Sequence, residues 1–386
     1  MRTVRMPAAC AAVAMIAAVA LAACSSGASS SSSSSSASAS SSSSSSAPAA
    51  AASTGASSSA AATTASPSSA SAAPTTITIG LPNSTPSFAN SDVAVAQAEG
   101  YFAKEGLVVH VDDLTSGVPV VQGVVGGSLD IGASSIEPVV DAAAAGAQLK
   151  VIGSYANKLT VDLVTDKSIT TPAQLRGKRL GIQQVGAFRE VMTRIVIEGA
   201  GLTTSDVTYV PSSSSAYISE LLAGEIQSGV LQEEQTLSAL KKDPNLHVLL
   251  NFDQAYSNYF YGAYVVNQSW LAGHEAVAEK FLTAITLAHR FMYTHEAATV
   301  AIVAKNTGFT SATIQKAYQA LVSTEGVFPV NSGLSDARVQ DSIATMKQYK
   351  ILTGGTAPSA STLVDTGPID AVLASIGTLT GNPLDD

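Results

Sequence analysis

Between residues 25 and 74 the chain is almost entirely Ser, Ala and Thr, with scattered Pro and Gly and no charged side chain. Such a tract cannot bury enough apolar surface to offset chain entropy, so it is expected to be disordered. Whatever folds must therefore follow it. Roughly 310 residues remain, enough for two domains at about 150 residues each. The chain carries 20 Lys and Arg against 29 Asp and Glu. Arg2 and Arg5 are the only charges before residue 76, so the foldable part is more acidic still, at net −11. An acidic body without Lys/Arg runs argues against nucleic acid and anionic membrane surfaces as partners.

The N-terminus reads as an address. Arg2 and Arg5 precede Ala8–Ala20, a small, apolar run interrupted only by Cys10. This is the charged region and short apolar core of an export signal, too short to span a bilayer stably. It leads into Leu21-Ala22-Ala23-Cys24, which resembles the lipobox of bacterial lipoproteins. The resemblance implies a signal peptide over residues 1–23, lipidation of Cys24, and an extracytoplasmic protein held at the cell membrane by that lipid alone. Residues 24–75 would then be a tether, spanning roughly 35–42 Å as a flexible coil. Cys10 and Cys24 are the only cysteines. Thiol catalysis, disulfides and Cys-ligated zinc are thereby excluded from the body.

From Thr76 onward short β-like runs alternate with helical patterns, the signature of α/β layers. Thr76–Leu81, Leu107–Val111, Leu129–Ile131 and Leu149–Ser154 read as strands, and the plan restarts after Pro172 with Arg179–Gln183, Val207–Val210 and Gly229–Leu231. The helix Phe188–Glu198 presents Phe188, Val191, Met192, Ile195 and Val196 to a core, with Glu190 and Arg194 paired on its wet side. Two extended segments, Leu159–Thr165 and Tyr259–Asn267, could cross between lobes. The expected division is a first lobe over 76–165, a second over 166–258, and a return to the first over 259–386 with C-terminal helices. The hinge is expected near Thr165 and Tyr259.

Four segments in order resemble a known family. They are Tyr101-Phe102-Ala103-Lys104-Glu105-Gly106-Leu107, Gly127-Ser128-Leu129-Asp130-Ile131-Gly132, Leu175-Arg176-Gly177-Lys178-Arg179-Leu180-Gly181, and Tyr264-Val265-Val266-Asn267 followed by Phe281-Leu282. They are similar to landmarks of bacterial ABC-transporter solute-binding lipoproteins of the sulfonate-, nitrate- and thiamine-precursor-binding family. The resemblance implies an α/β, two-lobe periplasmic-binding-protein type II fold with a discontinuous first lobe. It also implies a small-molecule ligand in the interlobe cleft, ABC permease subunits as partners, a monomer, and no cofactor. Gln227-Ser228 departs from the family pattern at the second lobe. Two alternatives stay open: an exported ligand-sensing lipoprotein, and an enzyme like the thiamine-pyrimidine synthases, which share the fold and need a reactive Lys–cofactor or His–metal centre.

No catalytic or metal constellation stands out. His274-Glu275 begins like a zinc-protease motif, but position 278 is Ala. Ligands of α/β sheets bind at strand C-terminal ends, where helix N-termini offer free N–H groups. Three loops qualify: Asn83-Ser84 with Phe88 able to stack; Ser134-Ser135, either of which caps the next helix or also contacts ligand; and Gln184, Gly186 and Ala187 with Arg189 in the following turn. Tyr259 and Tyr261, placed on one face of a strand, could stack on a ring-bearing ligand. Glu233, if it faces the cleft, would favour an amine or ring N–H, so the expected ligand is ring-bearing and neutral or partly cationic.

Overall fold

Ten strands form two five-stranded sheets built on one plan: β1 (Thr75–Leu81), β2 (Leu107–Asp113), β3 (Ile131–Ser135), β4 (Leu149–Ala156), β5 (Val161–Asp166), β6 (Arg179–Ile182), β7 (Thr208–Pro211), β8 (Ser228–Gln232), β9 (Leu246–Asn251) and β10 (Gly262–Asn267). The computed structural model describes residues 73–352 and 354–380. The expected signal peptide, the lipid site at Cys24 and the tether up to residue 72 lie outside the described residues. No described helix is long and apolar enough to cross a membrane.

The first sheet has the order β2-β1-β3-β10-β4 and the second β7-β6-β8-β5-β9. In each, three strands run parallel and the fourth is antiparallel to both its neighbours. The parallel strands need crossover helices. In the first sheet these are Ser91–Ala98 and Gly117–Gly126; in the second, Phe188–Gly199 and Tyr217–Leu222. The antiparallel strands, β5 and β10, are the ones that follow each passage of the chain between sheets.

The chain leaves the first sheet after Ala156 and enters the second at Val161. Residues 161–165, expected in the first lobe, are instead β5, where Thr165 pairs with both Ser228 and His247. The first crossing is therefore 157–160, not Thr165. The return crossing occupies 252–261, and Tyr259 and Tyr261 precede β10 rather than lying on a strand. β9 was not anticipated: its Leu246-His247-Val248-Leu249-Leu250-Asn251 run has no clean alternation. Glu190 and Arg194 do pair, with Arg194 Nε donating to Glu190 Oε1 at 2.8 Å, but Glu190 is fully buried, so that face is not the wet one.

The main apolar core runs through the first lobe and continues along the helix Phe188–Gly199, where the Phe188 ring meets Tyr261 at 4.5 Å between centroids. A smaller core of Val164, Tyr217, Leu221, Ile226, Leu231, Ala239 and Leu246 covers the other side of the second sheet.

Candidate ligand-binding cleft

The two sheets point loops and helix N-termini at one another, and the lobes are in contact there. Gln183 Nε2 donates to the Thr115 carbonyl at 3.1 Å, Phe88 N to Glu234 Oε1 at 3.3 Å, and the hydroxyls of Ser84 and Ser214 meet at 3.1 Å. Two cavities remain between these contacts. A central one of about 10 Å³, room for a single water, is lined by Pro82, Asn83, Gly117, Ser135 and Tyr155 of the first lobe, Gln183, Phe188, Arg189 and Gln232 of the second, and Tyr261 of the crossing. A second of about 170 Å³ is lined by Asn83, Thr85, Pro86, Ser87, Arg189, Ser214, Ser215, Ile218, Gln235 and the turn Thr307-Gly308-Phe309. Asn83 and Arg189 line both.

Arg189 dominates the electrostatics. It is 1% exposed and forms no ion pair among the described residues. Its guanidinium donates to the Val230 carbonyl and, at 2.9 Å, to Gln235 Oε1, and lies over the Tyr217 ring at 4.5 Å. Burial pulls its pKa below the usual arginine value, opposed by Tyr217, Tyr261 and Glu234 nearby. Arginine remains a cation under such a shift. A desolvated charge with no carboxylate partner is costly to hold, and groups of this kind concentrate at functional sites. Arg189 is the one formally charged side chain lining either cavity.

The aromatic wall is Tyr155, Phe188 and Tyr261. Tyr155 and Tyr261 meet edge to face at 5.6 Å. Gln232 Nε2 donates to Tyr261 OH at 3.0 Å, and burial pushes that hydroxyl up to about 12, so it stays neutral.

Of the residues singled out from the sequence, Asn83, Ser135, Arg189 and Tyr261 line the central cavity, and Ser84 bridges the lobes. The others are engaged elsewhere. Phe88 is fully buried, with its ring against Phe328 at 5.8 Å. Ser134 Oγ donates to the Gly117 and Ser135 carbonyls, and neither Ser134 nor Ser135 forms the anticipated side-chain cap. The Gly186 N–H is taken by Glu190 Oε2 at 3.0 Å, that of Ala187 by the Gln184 carbonyl at 3.2 Å, and Gln184 lines neither cavity. Tyr259 OH donates to Glu137 Oε1 at 2.7 Å, behind the cleft. Glu233 turns to Asp162 and Glu325 at the hinge; its neighbour Glu234 is the acid that reaches across to the first lobe.

Several lining residues were missed. Gln232 occupies the end of β8 as Ser135 occupies the end of β3, each preceding a helix, so the strand-end rule applied to the first lobe would have found it. Ser214 and Ser215 sit in the run Ser212-Ser213-Ser214-Ser215, whose composition suits a helix cap as well as a ligand. Nothing in the sequence pointed to the turn Thr307-Gly308-Phe309.

A profile of the NMT1/THI5 like family matches residues 88–299. A 4-amino-5-hydroxymethyl-2-methylpyrimidine phosphate synthase of Candida albicans is 27% identical over 218 residues, 53% of this chain and 63% of the relative. The chain spans about six-tenths or less of the length of the curated relatives it matches first. Among solved structures, the alkanesulfonate-binding protein SsuA of Xanthomonas axonopodis pv. citri, bound to MOPS, superposes with a TM-score of 0.63 at 17% identity, covering 76% of this chain and 99% of that one. The nitrate-binding protein NrtA of Synechocystis PCC 6803 gives 0.64 at 12% identity, covering 79% and 89%. The fold is that of the periplasmic binding proteins.

Proposed function

We propose that this chain, which belongs to the NMT1/THI5-like family, is a lipid-anchored extracytoplasmic solute-binding protein that captures a compact organic anion between its lobes and hands it to an ABC permease. One observation carries the reading: a buried Arg189, in no ion pair among the described residues, lies where two α/β lobes meet and is the one formal charge among them facing either cavity. A guanidinium so placed favours carboxylate, sulfonate or phosphate. That replaces the neutral or partly cationic ligand inferred from Glu233, whose carboxyl faces the hinge. The rings of Tyr155, Phe188 and Tyr261 line the smaller cavity, so a planar group would meet them once the lobes part. Size is bounded as well, since a cavity of about 150 Å³ holds a benzene and the larger one here is about 170 Å³.

Ligand contacts from both lobes would hold the cleft shut by adding to the Ser84–Ser214, Phe88–Glu234 and Gln183–Thr115 bridges. A synthase reading needs a reactive Lys or His at the cleft, and the linings of both cavities contain neither. The test is thermal stabilisation of the mature chain by small carboxylates, sulfonates and phosphates, repeated on Arg189→Met. A ligand at 100 times its Kd adds about 2.7 kcal/mol. Stabilisation of the wild type that the variant loses is expected; an amine that stabilises both equally would overturn the reading.

A further inference from the structure

We infer that Tyr217 is a positioning residue: its ring face holds the Arg189 guanidinium in the orientation that meets the ligand. The inference rests on the reading of Arg189 as the ligand's anchor, but its first test needs no ligand. Arg189 reaches inward from the N-terminal turn of the helix Phe188–Gly199, and its two hydrogen bonds, to the Val230 carbonyl and Gln235, hold only one edge of the planar group. A flat cation so held can still swing about that edge. Tyr217 closes off the motion from one face, with the guanidinium carbon 4.5 Å from its ring centroid, inside the range of cation–π attraction.

The second sheet is shaped to seat this ring. A Cβ placed on Gly181 of β6 would fall 2.9 Å from Tyr217 Cε1, and one on Gly229 of β8 would fall 2.8 Å from Tyr217 Cδ1. These are neighbouring parallel strands in register at that pair, Gly181 opposite Gly229. Two facing glycines thus leave a slot in the sheet that any side chain would fill. The ring is fully buried in it, while its hydroxyl has no hydrogen-bond partner. Burying an unpaired hydroxyl costs free energy. The face of the ring, rather than its oxygen, is therefore what the site uses.

Substitution separates the two parts of the side chain. Tyr217→Phe keeps the face, and Tyr217→Leu removes it while keeping the side chain apolar. Gly229→Ala attacks the seat from the sheet, in case Tyr217→Leu fails to fold. The readout is NMR hydrogen exchange of the Arg189 guanidinium in the ligand-free mature chain. Arg194, whose Nε donates to Glu190, is the internal control for loosening of the whole helix. Exchange at Arg189 should match wild type in Tyr217→Phe and quicken at least tenfold in Tyr217→Leu and Gly229→Ala, with Arg194 unchanged in all three. Slow exchange retained in Tyr217→Leu, or lost in Tyr217→Phe, would overturn the inference. With benzenesulfonate as an anion probe, Tyr217→Leu and Gly229→Ala should both bind at least fivefold more weakly. If no anion binds the wild type while the exchange pattern holds, Tyr217 keeps its role and the proposed cargo falls.

Discussion

The carboxyl of Glu233, at the start of the helix Glu233–Lys242, stands beside that of Asp162 in β5, where the two repel as like charges next to the first crossing. Burial raises the pKa of both, and Asp162 and Glu325 add to the rise at Glu233. Glu325, from the first lobe's tail, is pushed to about 7 by burial and by Asp253 and Asp162. Lys158, on the first crossing, donates to the Glu325 carbonyl at 2.8 Å.

A pH dependence follows. A carboxyl whose native pKa is raised contributes stability that is fully present below its unfolded value, near 4.5 for Glu, and is lost as pH rises through the native value. Wild-type unfolding free energy should therefore fall between pH 5 and pH 9. Glu233→Gln, which keeps a hydrogen-bonding group and removes the charge, should flatten this slope and gain about 1–2 kcal/mol at pH 8 relative to pH 5. Urea unfolding across pH decides it, and parallel slopes for both proteins would dismiss the raised Glu233 carboxyl as their source.

Tyr259 is a structural donor in this account, not a ligand contact. Glu137 is fully buried and held at about 7 by desolvation, against the pull of Ser135 and Tyr259. Tyr259→Phe removes one of those donors. Stability should drop by about 1–3 kcal/mol, more at pH 8, where the carboxylate is ionised, than at pH 5. Ligand affinity should change less than twofold. A selective loss of binding with unchanged stability would return Tyr259 to the cleft.

In the first lobe, His289 Nδ1 donates to the Pro329 carbonyl at 2.8 Å, and Nε2 meets Asp92 Oδ2 at 3.1 Å. The same Asp92 oxygen accepts from Tyr264 OH at 2.6 Å. His289→Leu removes one of the hydrogen-bond partners of a buried carboxyl that keeps Tyr264 and the Val93 N–H, and should cost about 1–3 kcal/mol. Adding Asp92→Leu should recover much of the loss, because the two side chains act as one unit. Additive losses in chemical unfolding would show that they do not.

Gly262 opens β10 directly against Tyr155. A Cβ there would lie 2.3 to 2.6 Å from the Tyr155 ring, and that ring is fully buried and cannot swing out. Gly262→Ala should cost about 1–3 kcal/mol by overpacking and weaken ligand binding several-fold by pushing Tyr155 into the central cavity. Wild-type melting temperature and affinity in this variant would contradict both.

The proposed lipid at Cys24 is tested in cells. Cys24→Ser should release the protein to the medium or leave unprocessed precursor, and removal of residues 25–72 should leave the melting temperature unchanged. Acyl labelling that persists in Cys24→Ser would refute the anchor.

The sequence by itself determined the layered α/β class and the order of its elements other than β9, because these rest on local periodicity and turn residues that act over a few positions. Gly127-Ser128-Leu129-Asp130-Ile131-Gly132 and Gly224-Glu225-Ile226-Gln227-Ser228-Gly229 could be read as matching helix ends, and each does feed the third parallel strand of its sheet. It also brought Asn83, Ser135, Arg189 and Tyr261 forward, since strand ends and helix starts are local features. Only the tertiary structure decided which neighbour faces the cleft. Glu233 and Glu234 are adjacent on one helical turn, about 100° apart by helix geometry, so the rotation of a single helix sends one to the hinge and the other across to Phe88. Likewise Tyr259 and Tyr261 part company because residues 252–261 cross between lobes instead of running straight as a strand. Nothing local in the sequence says that Arg189 is buried. Its burial depends on Val230, Gln235 and Tyr217, 28 to 46 positions away, and no local pattern encodes contacts made only when one strand and three helices are packed together.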